Sequence, residues 1–304
     1  MGMTDPSDPD LPRGLALAWG VAATPQRGPK REMSVERIVE AAVELADAEG
    51  LAAVSMAAVA ARLGYTPMSL YRYVTAKDDL ILLMQEEATG LPTDQTREGD
   101  WRRRLETIYR EQVQLYLQHP WVLDVPISGT PVTPNGAAWM DAGLAALTET
   151  VLTHDERLAV ILLVTGQSRW TGMVMAGYAR SMRERGVSDA EVTAEEDALF
   201  RLLISPDAYP DLRAAIDAGV FLEEGDPFSF GLARVLDGVD AYLARAADGA
   251  RDAPRPWVTS DDADIAEDKS YRAAVKAVRE AERSLRDARK QARQAARAAR
   301  DRLR

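Results

Sequence analysis

Apolar positions along this chain recur mostly at spacings of three and four, the period of helices that bury one face. The pattern is sharpest from Ser34. Val35, Ile38, Val39, Ala42 and Leu45 form one stripe, Ser34 stands at the N-cap with Glu36 in the first turn, and Gly50 stops the helix. Met56, Val59, Ala60 and Leu63 give a second helix, capped by Ser55, its buried face. Gly64 then allows a tight turn, Thr66 is an N-cap, and Pro67 takes the first helical position, where a missing N–H costs nothing. The next helix, Met68 to Val74, is about two turns long and cannot stand alone. Leu70 and Val74 must face inward, which leaves Pro67, Met68, Ser69, Tyr71, Arg72 and Tyr73 largely outside. Thr75 with Asp78 reads as a capping box for a fourth helix. Lys77 sits in its first turn, where a cation opposes the helix dipole unless a phosphate lies nearby.

The same periodicity continues downstream. Leu11 to Gly20 is a short apolar patch with Trp19, either docked or mobile, and residues 76 to about 89 form a connecting helix. Leu105, Ile108, Tyr109, Val113, Leu115 and Tyr116 mark an amphipathic helix over Trp101 to His119, which Pro120 ends. Trp121 to Gly136 is irregular but rich in apolar residues, as if it lined or lidded a cavity. Thr133-Pro134 opens a further helix. Thr153 with Glu156 then caps the longest one, Asp155 to about Arg183. That helix is apolar nearly all round between Leu158 and Met175, so it needs partners on two sides. Its Gly166, Gly172 and Gly177 permit a close helix crossing or leave room for a ligand. Ser188/Glu191 and Thr193/Glu196 are rival capping boxes, with short helices expected over Glu195 to Leu203 and Tyr209 to Ala218. Asp226-Pro227 opens a last core helix through about Ala246. The predicted fold is all-α, with a three-helix head joined to a larger helical body.

Composition changes this picture in three ways. With no cysteine, a disulfide framework and a thiolate metal site are excluded, and His119 and His154 alone do not specify a metal. No run reaches the roughly 18 apolar residues of a membrane span and the start lacks a signal-peptide core, so a cytoplasmic address is the default. Charge is uneven. Residues 269 to 304 hold 13 Lys and Arg against 4 Asp and Glu, a net of +9, which leaves 1 to 268 at −20 within the total of −11. An acidic body does not forbid DNA binding, but it demands a local footprint. The tail also carries a weak heptad seam, Tyr271, Val278, Leu285, Ala292 and Ala299 with alanines between. It reads as a helix that is solvated, docked on an acidic surface, or in non-specific contact with DNA.

An exposed face made of a proline, a methionine, two tyrosines and an arginine suits a major groove, where apolar atoms meet thymine methyls and Arg reaches guanine or phosphate. Two short helices around a glycine also occur as plain packing. The run LGYTPMSLYRYVTAKDDL from Leu63 to Leu80, with the first helix ending in Ala48 to Gly50, resembles the N-terminal domain of the TetR family of bacterial transcriptional regulators. By that resemblance Pro67, Met68, Ser69, Tyr71 and Arg72 face bases, Tyr73 and Lys77 hold phosphates, and Thr66 contributes at the helix start. Arg27, Lys30 and Arg31 would fit the family's basic arm. Met56 and Ala57 stand where the family often has a DNA-reaching Thr or Arg, so contacts from that helix should be weaker.

The body resembles, more loosely, the tetracycline-repressor-like C-terminal domain, through His119 to Leu147 and the long helices. This implies an effector cavity and a homodimer joined by the longest and last core helices. Candidate cavity residues are Tyr109, Trp121, Trp139, Gln167, Trp170, Met173 and Tyr178, whose aromatic walls and single amide suit an apolar, drug-sized molecule. No cofactor, metal or membrane is required, and no phosphate loop, metalloprotease motif or nucleophile elbow is present. The expected domains are 1–32 (extension and arm), 33–80 (head), 81–248 (body), 249–268 (linker) and 269–304 (tail). The expected function is that of a repressor bound to a palindromic operator in double-stranded DNA and released by a small molecule. A helical interaction protein with a degenerate helix-turn-helix is the alternative.

Overall fold

The computed structural model describes residues 11–21, 33–127, 129, 132–222, 225–251, 265 and 267–302, and every regular element among them is helical. The helices are α1 (Arg13–Ala18), α2 (Val35–Glu49), α3 (Met56–Leu63), α4 (Pro67–Tyr71), α5 (Lys77–Thr89), α6 (Trp101–Gln118), α7 (Pro134–Ala146), α8 (His154–Arg185), α9 (Asp189–Leu203), α10 (Pro210–Asp217), α11 (Pro227–Ala247) and α12 (Lys269–Arg302). The chain divides into two compact units, Met1–Ala250 and Arg251–Arg304. Head and body therefore share the first unit, and α12 belongs to the second.

Local capping chemistry sets most boundaries. Ser34 and Ser55 accept backbone hydrogen bonds from Arg37 and Ala58. Thr153 and Glu156 cap α8 reciprocally. Of the rival boxes Ser188/Glu191 forms, so α9 starts at Asp189, earlier than expected, and absorbs Thr193 into its second turn. The expected box at Thr75 and Asp78 does not form: the N-cap of α5 is Ala76, and Thr75 donates to Asp79 Oδ2 at 2.9 Å. The other oxygen of Asp79 accepts from the Gly14 amide at 2.9 Å. This contact docks α1 on α5. A Cβ on Gly14 would lie 2.7 Å from the same carboxylate oxygen and 3.2 Å from Asp79 Cα, so a larger residue would have to displace the carboxylate from this contact. Trp19 completes the docking by donating its indole N–H to the Val132 carbonyl at 2.7 Å.

Two apolar clusters carry the first unit. One gathers Ile38, Ala42, Val59, Leu70, Val74 and Leu80 of the head with Met84 further along α5, and extends to Tyr116, Trp121 and Val122 of the body. The other joins α6, α7, α8 and α11 through Leu105, Ile108, Trp139, Ile161, Val164 and Leu236. Gly172 lets α6 and α8 cross closely: a Cβ there would meet Tyr116 at 2.7 Å. Gly166 and Gly177 face open space instead. By length and mean composition alone α8 could cross a bilayer, with a mean hydropathy of 1.2 over 18 residues, although Gln167, Ser168 and Arg169 interrupt its apolar run. Its inner side, however, holds polar pairs against α6, Tyr109 to Thr171 at 3.0 Å and Ser168 to Gln112 at 2.6 Å.

Candidate DNA-reading head and its joint with the body

Gly64 adopts a left-handed conformation, φ +77°, and turns the chain between α3 and α4. Thr66 is the N-cap in position, but its hydroxyl meets Ser69 Oγ at 3.0 Å and caps no backbone amide. The recognition helix ends at Tyr71, three residues short of the expected Val74, because the Tyr73 and Val74 amides both converge on the Leu70 carbonyl, at 2.8 and 3.0 Å. The two anchors hold this short piece in place: Leu70 and Val74 have no exposed surface at all. Outward stand Thr66, Pro67, Met68, Tyr71, Arg72 and Lys77, all exposed, with Ser69 and Tyr73 half-buried. Met68 is 74% exposed, which an isolated apolar side chain in water does not favour. The arm residues Arg27, Lys30 and Arg31 lie outside the described residues. Residues 33 to 80 carry four basic side chains, Arg37, Arg62, Arg72 and Lys77, against seven acidic ones, a net of −3. One of those cations, Arg62, is paired with Glu44 at 2.9 Å.

A joint that no sequence motif announces links this head to the body. Asp47, on α2, accepts from the Trp121 indole N–H at 2.7 Å and lies 2.8 Å from His119 Nδ1. Arg169 of α8 donates to the Leu123 and Val125 carbonyls of the same turn, at 2.8 and 3.2 Å. The turn Pro120–Asp124 is thus held by the head on one side and by the longest body helix on the other. Its one trace in the sequence is an acidic residue bordering the apolar stripe of α2.

The expected effector residues stand in several different environments. Trp121 is 1% exposed and belongs to the head-side core, and its indole N–H donates to Asp47. Trp139 is buried too, and its N–H is taken by the Gly90 carbonyl at 3.0 Å. The Tyr109 side chain lies between α6 and α8 and donates to Thr171 Oγ1, and burial is the main cause that pushes its phenol pKa up. Tyr116, deeper in the same crossing, is raised by burial and opposed by Arg169. Gln167 is half-buried with its amide 4.0 Å from the Cβ position of Gly231 on α11. Trp170, Met173 and Tyr178 are exposed, and the Tyr178 hydroxyl meets Glu196 at 2.8 Å, which raises its pKa. A groove of about 560 Å³ does open near the start of α6, but Gln95, Glu98, Asp100, Arg102, Arg103 and Arg110 make it polar.

A helix-turn-helix head on a larger helical body defines a class of DNA-binding regulator. Comparison with known proteins narrows it. Residues 38–84 match the family described as bacterial regulatory proteins, tetR family, and residues 91–243 match the tetracyclin repressor-like C-terminal domain. The transcriptional repressor DrrR1 of Streptomyces coeruleorubidus is 35% identical over 78% of this chain and 88% of its own length. The repressor Rv1353c of Mycobacterium tuberculosis is 24% identical over 78% and 92%. Among solved structures, ActR of Streptomyces coelicolor in complex with (S)-DNPA shares the fold, with a TM-score of 0.57 and 21% identity over 70% of this chain and 99% of ActR. The chain belongs to the TetR family and is a DNA-binding transcriptional repressor, not an enzyme. Regulators of this family bind DNA operators and small-molecule ligands, typically as dimers, and are soluble cytoplasmic proteins.

Proposed function

We propose that this chain acts in the cytoplasm as a homodimer that grips a palindromic operator with two copies of α4 and lets go when a small apolar ligand enters the body. The observation that carries the reading is the division of labour along α4 and the three residues after it: Leu70 and Val74 are fully buried while Met68, Tyr71 and Arg72 project outward. On this reading Pro67, Met68, Ser69, Tyr71 and Arg72 meet base edges, while Thr66, Tyr73 and Lys77 anchor phosphates. The dimer face we assign to the outer sides of α8 and α11. Leu162, Trp170 and Met173 share one side of α8 with Gly166 and Gly177, and Phe230 of α11 is 64% exposed. Trp170 and Met173 then serve the interface and not a cavity.

For the ligand, Tyr109 and Gln167 remain the best-placed candidates, between α6, α8 and α11. That ActR has been solved with (S)-DNPA and with actinorhodin supports a ligand site in a body of this fold. A ligand that binds the body better in a state with misplaced heads shifts the population away from DNA. The joint at Asp47, His119 and Trp121 gives such a shift a physical route from α8 to α2. Selection of bound duplexes from a random pool tests the reading. The expected product is a palindrome with half-sites about one helical turn apart, or a multiple of it. Recovery of sequences with no symmetry, or of no preferred sequence, overturns it.

A further inference from the structure

We propose that α12 is a second DNA-binding surface, one that grips the duplex backbone without reading sequence and supplies the charge the reading head lacks. Three observations converge. Residues 33–80 are net −3, and residues 22–32, with Arg27, Lys30 and Arg31 against Glu32, bring the total only to −1, so the head's own long-range electrostatics give no attraction to a phosphate backbone. Residues 269 to 304 are net +9, on a continuous helix of 34 residues that forms part of a separate unit. The arrangement of that charge is the third. Arg272, Arg279 and Arg286 stand seven residues apart, each followed four residues later by Lys276, Arg283 or Lys290, and all six side chains are exposed.

Residues four apart share a helix face, and seven residues advance about 10.5 Å along the axis. The six cations therefore form a double row on one side, and the sequence repeats the same spacing once more at Arg293 and Arg297. Like charges at four-residue spacing destabilise a free helix by about 0.2–0.5 kcal/mol per pair. Glu280, 3.9 Å from Lys276, and Asp287, four residues after Arg283, relieve part of that repulsion, and a polyanion laid along the row turns the rest into attraction. B-DNA, with one charge per about 1.7 Å of axis, offers phosphates along the whole length. Being on the same chain, the tail also meets DNA held by the head at an effective concentration set by the connecting segment. This goes beyond operator reading and stands without it.

The test uses the full chain and a 30-base-pair duplex of random sequence, with affinity measured across a salt series. Replacing all six cations by Gln is expected to weaken binding about tenfold or more near 0.1 M salt. It should also flatten the slope of log K against log salt by about 3–5, since each phosphate no longer neutralised removes about 0.9 from it. Exchanging Arg for Lys and Lys for Arg at the same six positions should leave both unchanged. If the Gln variant loses helix by circular dichroism, Arg272→Gln, Arg279→Gln and Arg286→Gln alone should remove about half the change in slope. An unchanged slope overturns the proposal. So does tighter DNA binding by the Gln variant, which would mean that the tail covers the chain's own acidic surface. Preference of the full chain for phosphatidylserine vesicles over duplex, abolished in the Gln variant, overturns it as well. The ratio of selected to random duplex affinity should survive in every tail variant; its absence with the slope intact would count against the head and not the tail.

Discussion

The tip of the head and the outer flank of α8 both expose apolar side chains, yet they do so on opposite terms. On α4 the exposure is small and local: Met68 and Tyr71 project from a five-residue helix held by Leu70 within it and Val74 just after it, both completely buried. On α8 it runs along several turns: Leu162, Trp170 and Met173 are 58%, 56% and 47% exposed on one side of a 32-residue helix. A few apolar atoms among polar ones can stay wet until a groove accepts them. A long apolar flank in water marks a surface meant to be covered. The comparison teaches that similar exposure points to different partners, and that its extent along the helix tells them apart. The charge on the head adds a second contrast, since a net of −3 leaves discrimination to a few side chains.

The largest effect should follow from charging the flank. Leu162→Glu with Trp170→Glu would bury unpaired carboxylates in a dimer contact, at a cost of several kcal/mol. We expect a monomer by analytical ultracentrifugation, a folded far-UV spectrum, and a loss of about 100-fold or more in operator affinity. A dimer that survives both substitutions would place the second copy elsewhere. Next comes the tip. Arg72→Ala and Tyr71→Ala should each cost about 1–3 kcal/mol of operator binding while shifting stability by less than about 0.5 kcal/mol. Fluorescence anisotropy and thermal melting read the two quantities separately. Equal losses on operator and random duplex would move these residues from base contacts to backbone contacts.

Much of this was legible in the chain. Pro67 at the first turn of α4, the Thr153/Glu156 box and the inward pair Leu70 and Val74 all depend on chemistry within a few residues, and the structure has each of them. What escaped depends on distant neighbours. Periodicity marks Trp121 as buried but cannot say that it faces Asp47, 74 positions away, and not a ligand. Thr75 and Asp78 have the spacing of a capping box, yet Thr75 bonds to Asp79, whose other oxygen holds Gly14 of α1, 65 positions earlier. The early end of α4 is the same lesson at short range: two amides share the Leu70 carbonyl, and no residue type announces it. The chain therefore showed which side chains face out on α4, and left open what the aromatic residues of the body touch.

The joint between the two regions should respond by less than either surface. Asp47→Ala removes the acceptor of the Trp121 N–H, a group otherwise buried, and should cost about 1–3 kcal/mol in urea unfolding. Its more telling readout is coupling: ligand added to the variant should release operator less completely than from the parent protein at equal occupancy. Unchanged release would route the signal around this turn.

Gly166 gives the finest discrimination, because its expected effects on folding and on assembly have opposite signs. In one protomer a Cβ there meets nothing within 4 Å, so Gly166→Ala should gain the helix about 0.8–1 kcal/mol. Gly172 offers no such gain, since its Cβ would strike Tyr116 inside the protomer. If the flank is the dimer face, the space beside Gly166 belongs to the second copy, and the added methyl wedges the two long helices apart. We therefore expect Gly166→Ala to raise the dimer dissociation constant a few-fold in sedimentation experiments, while the dilute protein resists urea slightly better. A variant that is more stable at every concentration, with dimerisation untouched, would show that this stretch of α8 faces solvent in the assembled repressor, and the interface would have to lie further along the helix.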